Sequence, residues 1–586
     1  MKQKVTYQGR SLFFNFLFVF INLVGISSIV IGFHPFFNDF KLLFLLLGFG
    51  LMSLSIFGLI IFKGRLLMSS VARVIVGSIC IISGIVKAND PLGFSYKLEE
   101  YFEDGALAYR IKEIFNSPSF SMEYLIDYAL IFSVIICIIE IVLGVLLIIG
   151  GRIKIVAYLT LFMMIFFTFL TWHTASCDSK IKFLDEDTYS LSSELGQLKL
   201  SESKTNKNIK IVSKLNNQII VHEMKQPQCV TDCGCFGDAL KGSLGRSLTP
   251  SESLWKDIFL VYLVVWIFIA QWKIKPNTWK NNLWFLSISM LLISFFSWVF
   301  GWYFPILLSL IFLLAALWMK QVGGKYLGNT LGSSLIVILL SSVFVSYVLY
   351  YEPLKDYRPY AVGNNILQKM NDGIEGKYKT MLTYKNKNTG AQKIFDASSN
   401  EYSSSKIWEQ KNWVNIGVEN IPIVEPRLPS ITEQFDPFIS KEDVSNAELT
   451  IPLVKSIVEL NNAEDSDISL RNYIVHEKNI VILVSKQLNN SNWNSIERIK
   501  SIFQECKRNN IPFILITNSS RESINLFRNK YDFDVPTFVN DEIELKAISR
   551  SNPALLIIKN AVIKGKYPHR SIPKYEWLSK NILFKK

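Results

Sequence analysis

The chain has 586 residues, a formal net charge of +13 and seven cysteines. It is too long for one ordinary domain, and its cysteines are too sparse for a disulfide-built scaffold. The charge does not mark a nucleic-acid binder, because many basic residues sit in short loops between apolar runs, where they set membrane orientation.

A helix needs about 20 apolar residues to cross the hydrocarbon core. Nine candidate spans follow in chain order: 11–33, 41–62, 70–88, 125–149, 154–174, 254–272, 281–299, 303–320 and 331–351. Gly301 and Pro305 interrupt the stretch 281–320, which reads as two spans or as one span with a re-entrant piece. The first span has too long an apolar core, and no cleavage site after it, for a cleavable signal. With nine spans, Lys2, Lys4 and Arg10, then Lys63, Arg65 and Arg73, then Arg152 and Lys154, then Lys273, Lys275 and Lys280, then Lys320 and Lys325 all share one side. That side is the cytoplasm. The expectation is a multi-pass inner-membrane protein with a cytoplasmic amino terminus, and with loop 175–253 and the carboxyl region in the periplasm. The membrane part divides into a hairpin at 1–66, a core at 67–275 carrying the external loop, and further spans at 276–352.

Glu140 lies in the middle of an apolar run, where a charge costs at least ~2.5 kcal/mol. Arg73 and Lys87, near the two ends of the third span, are the basic candidates to meet it. Two readings stand: a structural ion pair, or a proton relay or quinone-facing carboxylate. Gly144, Gly150 and Gly151 nearby permit close helix packing. Cys80 and Cys137 fall inside spans and read as small buried apolar residues.

The loop after the fifth span reads Cys229-Val-Thr-Asp-Cys233-Gly-Cys235-Phe-Gly-Asp238, with Cys177 at its other end. In an oxidising compartment such thiols pair or exchange. A Cys-Gly-Cys pair closes a small, strained ring, and strained exposed disulfides are the labile ones. Three readings compete: exchange at Cys233 and Cys235 with Cys177 and Cys229 as a second pair or relay; purely structural disulfides; or a metal held by the four cysteines, or by three with His222 or His173. Zinc ligands come as two well-spaced pairs, which this spacing fits poorly.

Arg73–Pro91 resembles the first helix of DoxX-type membrane proteins, and Glu140–Arg152 resembles their second. Cys233–Asp238 is similar to the loop of the related MauE-like proteins, and Asp356–Asn365 to a segment of the longer members found in Bacteroidota. The resemblance implies a DoxX-like four-helix core near spans three to six and redox associations: quinone-linked sulfur oxidation in DoxX proteins, disulfide maturation of a periplasmic enzyme in MauE proteins. A quinone is the cofactor it implies. This chain departs from the pattern in a polar stretch of about fifty residues between Cys177 and Cys229.

Beyond the spans, 353–469 reads as a β-rich domain or linker, with a hairpin at 378–395 and proline-rich stretches at 422–429 and 437. Residues 470–586 alternate strand and helix. Strands are expected at 479–485, 512–517, 554–558 and 561–564, and helices at 495–509 and 522–530. That order is the thioredoxin fold, with Pro553 at its cis-proline position. The catalytic Cys-x-x-Cys is missing: Ser485-Lys-Gln-Leu stands in its place, and Cys506 lies too far along the helix. Such a domain acts by contact, and Ser485, Gln487, Pro536 and Pro553 outline the face expected to hold an extended segment. The polar 178–228 stretch is one candidate for that segment. As a whole the sequence reads as a polytopic α-helical membrane bundle followed by a soluble α/β region. Two functions fit it: a redox protein working through the loop cysteines, or a non-catalytic envelope scaffold that binds a periplasmic partner or belongs to a membrane complex.

Overall fold

A computed structural model describes residues 2–32, 41–61, 64–230, 234, 237–240, 247–322, 330–424, 426–432, 438–439, 468–469, 474 and 477–585. Lys63, Cys233, Cys235, Lys325 and Pro437 lie outside the described residues. The chain forms two units, Met1–Tyr357 and Arg358–Lys586.

In the first unit the apolar runs become helices α1 (Lys2–Gly32), α2 (Lys41–Ile61), α3 (Arg65–Asn89), α6 (Ala129–Ile149), α7 (Ile153–Ser176), α9 (Pro250–Ala270), α10 (Trp279–Val299), α11 (Phe304–Val322) and α12 (Thr330–Tyr350). Shorter helices α4 (Pro91–Phe102) and α5 (Tyr109–Phe115) follow α3, and α8 (Glu194–Thr205) follows α7. Among the described residues, eight helices are long and apolar enough to cross a membrane; α1 carries the shorter apolar stretch Phe13–Ile29. The ambiguous stretch 281–320 is two helices. Gly301 takes φ +59 between them, and Pro305 sits in the first turn of α11, where its missing N–H costs nothing.

Helices α3, α6, α7 and α9 close a ring: α3 packs on α6 and α9, and α7 packs on both of these. Glycines set the spacing. A Cβ on Gly144 would come 2.7 Å from the Gly77 carbonyl oxygen, and one on Gly77 would come 2.9 Å from that of Gly144, so α3 and α6 meet backbone to backbone. The last turn of α6 leaves carbonyls that need donors. Arg73 Nε reaches Leu147 O at 2.9 Å, Asn277 Nδ2 reaches Ile148 O at 3.0 Å, and Lys320 Nζ reaches Ile149 O at 3.0 Å. Gly150 then ends the helix in the left-handed region at φ +70.

Two parts of this unit are folded where the sequence reading assigned no elements. The loop after the third span is folded: Pro91 starts α4, capped by Asp90 accepting from the Gly93 N–H at 3.0 Å, and Phe94, Leu98 and Tyr101 are buried in the bundle core. The polar stretch 178–228 is also folded, as strands β1 (Phe183–Ser190), β2 (Ile209–Leu215) and β3 (Gln218–Lys225) in the antiparallel order β1-β3-β2, with α8 beside them. Its small core holds Ile209, Ile219 and Val221. Few apolar residues are needed because one face of the sheet stays polar, so composition hid it.

The second unit begins with α13 (Ile366–Met370) and a three-stranded sheet of β4 (Lys377–Asn386), β5 (Gln392–Asp396) and β6 (Trp413–Val424), ordered β5-β4-β6. Short α14 (Asn400–Ser405) lies between β5 and β6. The larger sheet adds β7 (Phe438–Ile439), β8 (Ile468–Ser469), β9 (Asn479–Ser485), β10 (Phe513–Thr517), β11 (Thr537–Val539), β12 (Ala554–Lys559) and β13 (Val562–Pro568), in the order β13-β12-β9-β10-β11-β7-β8. Strands β9, β10 and β11 run parallel, and β12 and β13 run antiparallel to their neighbours. One face is covered by α15 (Ile496–Arg508) and α16 (Arg521–Tyr531). The other is covered by α17 (Glu542–Ile548) with Tyr360, Ile366 and Ile431. The strand β11 and helix α17 stand between α16 and β12, an addition to the expected β-α-β-α-β-β order; three residues of strand show no alternation to read. The boundary expected at 469/470 also moves. The segment Gly363–Ile366 bonds to β13 through Gly363 N–H to Ile563 O and Ile366 N–H to Ala561 O, both 2.8 Å, so the start of the expected linker belongs to the large sheet.

Candidate functional site

Four of the seven cysteines sit in the loop between α7 and α9, and two of them, Cys177 and Cys229, are joined in a disulfide across a separation of 52 residues. That bond closes the neck of the β1–β3 insertion. Closing a loop of that length stabilises by about 4 kcal/mol in the chain-entropy picture. It also leaves no set of four thiolates for a metal, since a disulfide sulfur offers no thiolate. The histidines do not complete a set either. His222 Nε2 lies 2.6 Å from Glu186 Oε2 on the insertion, and His173 is fully buried in α7 against the rings of Tyr101 and Tyr109. Cys80, Cys137 and Cys506 are buried and unpaired.

Cys233 and Cys235 lie outside the described residues, but their neighbours are placed. Val230 on one side and Ala239 and Leu240 on the other are buried in the bundle core. Gly234, between the two cysteines, takes φ +63, and a Cβ there would come 3.3 Å from Lys97 Cγ and 3.8 Å from Phe94 Cδ2. Gly234 is therefore seated against Phe94 and Lys97 of α4. Lys97 pairs with Glu100 at 2.8 Å.

Phe94 leads inward. Lys87 Nζ lies 5.3 Å from its ring centroid and 4.4 Å from that of Phe167, and it forms an ion pair with Glu140 Oε1, both side chains being 3% exposed. Of the two basic candidates for Glu140, Lys87 holds it, while Arg73 serves the carbonyls at the far end of α6. A second pair stands beside the first: Lys256 Nζ to Asp257 Oδ1 at 2.7 Å, on α9. Lys87, Glu140, Lys256, Asp257, Cys80 and Ser83 share one cavity of about 20 Å³ with apolar neighbours. That is room for a water molecule and far below the few hundred Å³ of a ligand pocket, so the residues around Glu140 do not fit a quinone ring. Sequence reasoning passed over Lys256 and Asp257; two adjacent charges inside an assigned span were the available signal.

A further cluster, also missed, joins the insertion to α5. Asp185 pairs with Lys112, and Lys225 reaches Asp187 at 2.8 Å. Burial pushes the Asp185 carboxyl up, but the hydrogen bonds and charges of Lys112 and Lys225 outweigh it and hold the group below its ordinary value. Burial lowers Lys225, and the bonds to Asp185 and Asp187 more than reverse that. The carboxylates of Asp104, Asp185 and Asp187 lie within 4.8 Å of one another, and the two lysines already neutralise much of their charge.

In the second unit the segments expected to dock a peptide bond partly to one another. Ser485, Pro536 and Pro553 are buried and Gln487 alone of the four is exposed. Asn552 Oδ1 accepts from Lys486 N–H at 2.9 Å and Ser491 Oγ at 2.8 Å, and its carbonyl accepts from Asn492 N–H at 3.1 Å. The Asn552–Pro553 peptide is cis. The 485–492 turn thus occupies groups that an added strand would use.

Bundle and insertion together define a polytopic membrane protein whose cysteine loop is stapled to its helices. Within it, residues 68–173 match the DoxX family model, so this segment is a DoxX-like membrane domain. None of the curated proteins and none of the solved structures compared with the chain matches it.

Proposed function

We propose that this DoxX-like protein carries out thiol–disulfide exchange, with Cys233 and Cys235 as the working pair and Cys177–Cys229 as a fixed staple. The carrying observation is the seat of Gly234 on Phe94 and Lys97, between segments buried in the bundle. Gly234 and the buried residues Val230, Ala239 and Leu240 bracket the two cysteines in sequence with residues packed on the bundle. The distribution of cysteines favours the same assignment: one pair is already joined, and three others are buried in helices.

The exchange balances without a further reactant. A partner thiolate attacks one sulfur of the Cys233–Cys235 disulfide, and the other sulfur leaves as a thiolate. The partner's second thiolate then breaks the mixed disulfide. The partner ends oxidised, the pair ends as a dithiol, and two electrons and the partner's two protons have been transferred. Lys97, whose stem meets Gly234, pairs with Glu100, and a lysine in reach of a thiol favours its thiolate form.

Trapping tests the assignment. A Cys235→Ser chain in native membranes should accumulate a mixed disulfide through Cys233 that reductant releases, while a chain lacking both Cys233 and Cys235 should form none. Equal adduct formation by the double variant, or retention of the native complexes and cellular role without either cysteine, would leave a non-catalytic anchor for the second unit as the function.

A further inference from the structure

We propose that Glu140 and Asp257 share one internal water and that, with Lys87 and Lys256, they form a proton relay inside the bundle. This goes beyond the thiol chemistry and does not rest on it. The two ion pairs come from three helices, Lys87 on α3, Glu140 on α6, and Lys256 with Asp257 on α9, and all four residues line the same cavity of about 20 Å³. Each carboxylate uses one oxygen on its lysine. The other oxygens, Glu140 Oε2 and Asp257 Oδ2, are buried and have no hydrogen-bond partner among the described residues.

Two orphan acceptors facing one water-sized space call for a single molecule with two hydrogens to give. A metal cation suits the site poorly, because two ammonium groups already balance the two carboxylates. Met164 and Phe167 of α7 and Leu260 of α9 form an apolar wall to this space, and polar contacts beside such a wall are strengthened. Lys256 is partly exposed, with 23% of its side chain accessible, and gives the quartet its opening. A proton arriving at Asp257 Oδ2 passes through the water to Glu140 Oε2 and returns by the same route to the opening at Lys256, so the net charge of the quartet alternates between +1 and zero. The titratable groups that face Glu140 are Lys87 and Cys80 from α3, Cys137 from its own helix, and Lys256 and Asp257 from α9; from α7 only Met164 and Phe167 line the cavity. Ionisable groups inside a membrane bundle are costly and pair with one another, and proton relays are among their uses.

The test uses the full chain in lipid nanodiscs with carboxyl carbons of Asp and Glu labelled for NMR. Glu140→Gln and Asp257→Asn assign the two resonances. Expected are two coupled titrations, with Asp257→Asn moving the Glu140 midpoint by about tenfold in proton concentration or more, and, at high resolution, density for one solvent molecule between the orphan oxygens. Independent titration of the two carboxyls, or a Glu140 midpoint unchanged by Asp257→Asn, overturns the relay. Should Asp257→Asn fail to fold, the unmodified chain decides: a dry cavity overturns the proposal.

Discussion

At the scale of single residues, the buried ion pair is the costliest feature of the bundle. Removing one partner leaves the other charge unpaired, at about 3–5 kcal/mol. Glu140→Ala should therefore lower the unfolding midpoint in detergent strongly, whereas Lys87→Met combined with Glu140→Leu should restore most of it. Equal loss in single and double variants would show that volume and not charge is the issue. The insertion makes a pH prediction. Asp185 is held below its ordinary value, so its contribution is full above the unfolded value of 3.8 and disappears as pH falls through the folded one. Acid titration should loosen the β1–β3 sheet below about that pH, and Lys112→Met should raise the midpoint of the loss; amide exchange on the insertion reads both. Beside the cysteines, Lys97→Met should slow alkylation of reduced Cys233 and Cys235 at neutral pH by up to about tenfold, equivalent to one pKa unit, and Glu100→Gln should speed it. Alkylation rates insensitive to both changes would remove Lys97 from the account.

At the scale of elements, the contact of α3 with α6 depends on Gly77 and Gly144. Adding bulk where a Cβ would lie 2.7 Å from a facing carbonyl oxygen forces the helices apart, so Gly144→Val should cost roughly 1–3 kcal/mol and disturb the Lys87–Glu140 pair with it. Thermal unfolding in detergent checks this; an unchanged midpoint would mean that the two helices can separate freely. What the sequence revealed follows the same physics. Long apolar runs and a buried acid are loud signals, and the spans, Glu140 and its two basic candidates were readable. The choice of Lys87 over Arg73 was not, because it depends on which helix ends meet. The 178–228 insertion was hidden because a small half-solvated sheet resembles a polar linker, and β11 was hidden by its length. The β9, β10 and β12 strands were legible because they are short continuous apolar runs between turn residues, and β13 because its Val562-Ile563 start follows a turn after β12.

At the scale of the whole molecule, the chain is two units with separate cores. The bundle core draws only on residues up to Tyr357, while Tyr360 and Ile366 belong to the sheet of the second unit. Residues 358–586 expressed alone should thus unfold cooperatively in denaturant, and failure to do so would mean that the bundle completes their core. The central claim is that the loop cysteines divide into a staple and a working pair. It is tested most directly by differential alkylation and mass spectrometry of the full chain in native membranes, poised across a series of dithiol potentials. Cys233 and Cys235 should become labelled together at a mild potential while Cys177 and Cys229 stay protected until strongly reducing conditions. Simultaneous labelling of all four, or Cys233 and Cys235 free and unresponsive at every potential, would contradict it.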